Sequence, residues 1–95
     1  MSEAKHTSAA GQPMLRVERV QTGVRIEKRM LKVLKALAEY YDISLGDLME
    51  GIVLHAFEGE SAFDAKAQKR ITALKGVYDL DYGACASHRL FEQVD

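Results

Sequence analysis

Ninety-five residues, 47 % hydrophobic and 28 % charged, make one globular domain rather than a disordered chain or a pair of domains. Charge interrupts every apolar run well short of the ~20 residues of a membrane span. The N-terminus has no secretory apolar region and the single Cys85 cannot close an internal disulfide, which points to the reducing cytoplasm and away from membranes. The formal net charge of −1 hides a segregation. From Met14 to Lys35 seven cations face two carboxylates, a net of +5, and from Ala36 to Asp64 seven carboxylates face no Lys or Arg, a net of −7. A basic block of this kind meets anions locally, whatever the total.

Residues 1–13 are polar and small, end at Pro13 and read as a flexible N-terminal arm. From Arg19 to Glu27 the period is two. Val20, Thr22, Val24 and Ile26 fall on one face, with Arg19, Gln21, Gly23, Arg25 and Glu27 on the other, as in a half-buried strand. Helical spacing follows from Lys28 to Tyr41, with Met30, Leu34, Leu37 and Tyr41 in one stripe. Asp42 can take the left-handed conformation that ends a helix, and Ser44 is an N-cap for a second helix from Leu45 to Phe57. Leu54 widens the apolar face of that helix until its second half is apolar nearly all round. Only another chain offers enough surface to bury it.

A third helix is predicted from Ala62 to Lys75, capped by Ser61 with Asp64 three residues on, and stopped by Gly76. Tyr78, Leu80 and Tyr82 then alternate with Asp79 and Asp81 in a short extended piece, and a final short helix is expected over 84–93. A lone strand needs a ladder partner for its amides. The economical partner is the same strand of a second copy, antiparallel about a two-fold axis.

Val24-Arg25-Ile26, a helix carrying Leu31, Leu34, Leu37 and Ala38, then Ile43-Ser44, Leu48 and Ile52 resemble the ribbon-helix-helix family, over residues 19–57. The resemblance implies a mainly α homodimer with an intermolecular two-stranded antiparallel ribbon, and it implies double-stranded DNA as partner. Residues 14–58 would form the dimerisation and DNA-binding domain, and 59–95 a helical extension packing on it or binding another protein. The outward ribbon positions Gln21, Gly23 and Arg25 would face base edges in the major groove, where Gln suits adenine and Arg guanine. Arg19, Lys28, Arg29, Ser44 and Leu45 would contact phosphates, and Val24, Ile26, Leu34, Leu37, Ile52 and Val53 would form the dimer core.

The expected function is a sequence-specific transcriptional regulator, a bacterial repressor acting as a homodimer. Gly23, Glu27, Asp42 and Asp47 depart from the family's pattern and favour the alternative, an antitoxin-like protein-interaction module whose tail binds a partner through Tyr78, Leu80, Tyr82 and Phe91. Cys85 and His88 with Asp79 and Asp81 make at most half a metal site, and no nucleophile–base pairing or phosphate loop is present, so neither an enzyme, a metal nor a cofactor is expected. His55 reads as a buried or interfacial imidazole, and Cys85 as a packed thiol.

Overall fold

The computed structural model describes residues 13–93, so the expected arm over 1–13 lies outside the described residues apart from Pro13. Three helices form: α1 (Lys28–Tyr41), α2 (Leu45–Phe57) and α3 (Ala65–Val77), followed by one 3-10 turn at Ala84–Ala86. None of them is long and apolar enough to cross a membrane.

Each helix opens on a side-chain cap and closes on a left-handed residue. Glu27 caps α1, its carboxylate accepting the Arg29 N–H at 2.8 Å. Ser44 caps α2 by accepting the Asp47 N–H at 3.0 Å, and Asp64 caps α3 by accepting the Ala67 N–H at 2.8 Å. Such caps satisfy amides that the helix itself leaves without a partner. At the C-termini Asp42, Gly59 and Asp79 adopt positive φ, which lets the next residue return its N–H to the last turn. The bonds are Ile43 to the Ala38 carbonyl at 3.0 Å, Glu60 to His55 at 2.9 Å and Leu80 to Lys75 at 2.9 Å.

α1 lies in the middle and packs on both α2 and α3. Leu37, Ala38 and Leu48 form the buried centre, with Leu34, Ile52, Phe63, Ile71 and Leu74 half-buried around it. Leu37 is 1 % exposed, and burying a leucine stabilises by roughly 1.5–3 kcal/mol. The core is small. Val33 and Ala67 complete its buried apolar residues, and the radius of gyration of 16.0 Å exceeds the roughly 12 Å of a compact domain this long.

The ribbon expected from the alternating segment is absent. Among the described residues there is no β-strand or sheet, and 14–27 runs without regular structure, exposed up to Arg25. The physical reason is the lone strand's need for a partner: no other described segment supplies a ladder for its amides. The Tyr78–Tyr82 piece does not supply it either. Asp79 takes φ 57 and turns the chain back over the start of α1 instead. Over the described residues the architecture is therefore all-helical, and the two-stranded ribbon-helix-helix arrangement is corrected to three helices flanked by two irregular segments.

Three local expectations also change. The third helix starts at Ala65 on Asp64 rather than on Ser61, because the Ser61 hydroxyl is engaged with the Phe63 backbone. It runs through Gly76 to Val77, since the left-handed residue that ends it is Asp79. The final helix shrinks to the single turn Ala84–Ala86.

Candidate nucleic-acid interface

The basic block begins in the irregular segment and continues up the first turns of α1. Arg19, Arg25, Lys28, Lys32 and Lys35 are exposed, while Arg29 is half-buried. Lys28 and Arg29 occupy the first turn of α1, where the helix dipole disfavours cations by a few tenths of a kcal/mol. Anions gather beside them. Glu27 bonds the Arg29 N–H, Asp81 stands 3.6 Å from the Arg29 guanidinium, and the Asp79 carbonyl accepts from that guanidinium at 2.8 Å. Two hydrogen-bond donors, the Tyr82 hydroxyl first and the Arg29 amide second, hold the Glu27 carboxyl below the usual carboxylate range. The same bond to Glu27 raises the pKa of the Tyr82 phenol.

The expected DNA-contacting residues divide into two groups. Arg19, Gln21, Gly23, Ser44 and Leu45 line one open groove of about 1100 Å³ between the irregular segment and the start of α2. Its walls include Met14, Val20, Val24, Ile26, Leu31 and Met49, so its floor is apolar. Arg19 crosses to α2 and grips Glu50 through two bonds of 2.8 Å, which raises the Arg19 pKa and lowers that of Glu50. Arg25 and Arg29 belong to the other group, beside the tail. Arg25 pairs with Glu92 through both Nε, at 3.2 Å, and Nη2.

The expected dimer-core residues divide as well. Leu37 is fully buried within the chain, Leu34 and Ile52 are half-buried against it, and Ile26 is half-buried outside the central cluster. Val24 is 74 % and Val53 44 % exposed. They belong to an apolar surface that also presents Leu15, Val17, Val20, Leu54 and Phe57.

Sequence reasoning missed the acidic partners of the basic block, Glu50, Asp81 and Glu92, and the Tyr82 hydroxyl that donates to Glu27. A signal for the tail was present, because Asp79 and Asp81 alternate with Tyr78 and Tyr82 in a segment of sign opposite to the block. Nothing in the spacing reveals which arginine each would meet. His55 is exposed, its Nδ1 lying 2.7 Å from the Gly51 carbonyl, and Cys85 is exposed rather than packed. Among the described residues no group of three His, Cys, Asp or Glu side chains is placed to hold a metal ion.

No family model, curated protein or solved structure matches this chain.

Proposed function

We propose that this protein is a homodimeric DNA-binding transcriptional regulator that contacts the duplex through the basic surface of residues 14–35. The carrying observation is the row of exposed cations Lys28, Lys32 and Lys35 along one face of α1, with Arg19, Arg25 and Arg29 beside its start. Neutralising phosphates releases condensed counterions, so a surface of this sign gains affinity for a polyanion as salt falls. Arg25 and Gln21 have the chemistry for base edges, and Lys28, Arg29 and Lys32 that for phosphates.

The dimer is supported by the apolar surface. Leu15, Val17, Val53 and Leu54 line one open apolar hollow, and Phe57, 81 % exposed at the end of α2, adds to the apolar area that a lone chain with so small a core would leave in water.

The test is fluorescence anisotropy of the protein with a labelled duplex from its own upstream region, across a salt series, beside unrelated DNA. The expected result is tighter binding to the upstream duplex, steepening as salt falls. Arg25→Ala should cost about 1–3 kcal/mol and relax the sequence preference, whereas Lys28→Ala should weaken all duplexes alike and reduce the salt slope by about one. Absence of binding at low salt by a dimeric protein would overturn the reading.

A further inference from the structure

After α3 the chain does not leave the molecule. The left-handed Asp79 sends it back across the N-terminal end of α1, and residues 78–92 touch the basic block at successive points. The Tyr78 ring lies under the Lys32 ammonium at 5.8 Å, and the Tyr82 ring under the Arg29 guanidinium at 5.6 Å. The Asp79 carbonyl and the Asp81 carboxylate take the Arg29 guanidinium, the Tyr82 hydroxyl ties the segment to Glu27, and Glu92 takes Arg25 with two bonds. The segment carries three carboxylates, Asp79, Asp81 and Glu92, against the one guanidinium of Arg89. A carboxylate facing a guanidinium through two oxygens presents the same acceptor geometry as a phosphate. The tail thus sets anions where a DNA backbone would set them.

We propose that residues 78–92 are an autoinhibitory strap, which holds Arg25 on the Glu92 carboxylate and Arg29 on the Asp79 carbonyl beside Asp81, and must lift before those side chains reach DNA. The inference rests on the DNA-binding reading above and specifies its regulation. Exposed ion pairs are individually weak, so the strap is a lock that DNA can displace rather than a permanent block. Its effect fades as salt screens the pairs.

The test is the affinity of the full chain for a short fluorescein-labelled duplex of arbitrary sequence at low salt, because phosphate contacts do not depend on sequence. The strap variant is Asp81→Asn with Glu92→Gln. Both side chains are exposed, at 84 % and 66 %, so the helices keep their packing, which circular dichroism checks. The control is Glu58→Gln with Glu60→Gln, an equal change of charge away from the strap. The strap variant should bind about three- to tenfold tighter than the unaltered chain, two surface pairs being released, and the control should gain clearly less. In an Arg25→Ala, Arg29→Ala background the gain should vanish, because the strap then has nothing to withhold.

Equal gains in strap variant and control would reduce the effect to bulk charge and overturn the strap. Unaltered affinity in the strap variant, with DNA still bound, would overturn it too while leaving the DNA-binding reading intact. Absence of binding by every variant at low salt would remove that reading and the strap with it.

Discussion

Helices α1 and α2 are nearly equal in length and opposite in behaviour. α1 is the more polar, with Lys28, Arg29, Lys32, Lys35 and Glu39 along it, yet it supplies Val33, Leu37 and Ala38 to the buried interior. α2 has the more apolar sequence and buries only Leu48. Hydrophobic content alone does not bury a helix; neighbours do. α1 has them on two sides, in α2 and α3, and its apolar stripe meets both. Among the described residues α2 has α1 on one side and nothing of comparable size on the other, so Val53, Leu54 and Phe57 are left exposed. Among the described residues nothing covers that face, and it is the face the proposed second copy would meet.

The largest expected effect breaks the better-covered helix. Leu37→Ala empties the most buried position and should cost about 2–5 kcal/mol in chemical denaturation. The comparison is sharpened by the same truncation on α2. If a second copy covers the outer face, Leu54→Ala should destabilise by about 2 kcal/mol, with a midpoint that varies with protein concentration. A change within about 0.5 kcal/mol, independent of concentration, is what a truly solvent-facing leucine gives.

Smaller effects probe the helix starts. Ser44→Ala removes the α2 cap and should cost about 1 kcal/mol, while Ser61→Ala, which caps no helix, should cost clearly less. The smallest effect is that of pH. Glu27 and Glu50 have lowered pKa values in the fold, so their contributions are present above the ordinary carboxylate value of 4.5 and fade as pH falls through the lowered ones. Tyr82 is raised above 10.0, so its bond to Glu27 persists below that value and is lost as pH climbs through the raised one. Relative to their intrinsic exchange rates, the amides of residues 78–92 should therefore lose protection in acid before those of α1 and α3 do. Uniform protection through both regions down to the unfolding midpoint would contradict this.

The helices were legible because their signals are local. The stripe of Met30, Leu34, Leu37 and Tyr41 and the Asp42-Ile43-Ser44 break mark α1 and α2 with the bounds observed, and Asp42 takes the left-handed conformation expected of it. The third helix was legible in its stripe and not in its ends, because Ser61 and Asp64 both suit a cap and the Ser61 hydroxyl goes to the Phe63 backbone instead. Alternation in Val20, Thr22, Val24 and Ile26 was real but insufficient. Period two states which side chains share a face, not whether a ladder exists to hold the backbone. The acidic partners of the block were illegible for a related reason. Glu92 meets Arg25 across 67 residues, a pairing set by the turn at Asp79 rather than by any spacing. Glu27 shows the gain from structure most clearly: an acidic residue that looked adverse beside the basic block is the cap that starts α1 and the anchor of the tail.

Sedimentation equilibrium of the full chain, alone and with a short duplex at low salt, separates a DNA-binding dimer from a lone chain. A DNA-binding dimer gives a free species of twice the 10.6 kDa chain mass, and a complex of two chains on one duplex. A species that stays at the mass of one chain at every concentration, and sediments apart from the duplex, would contradict it.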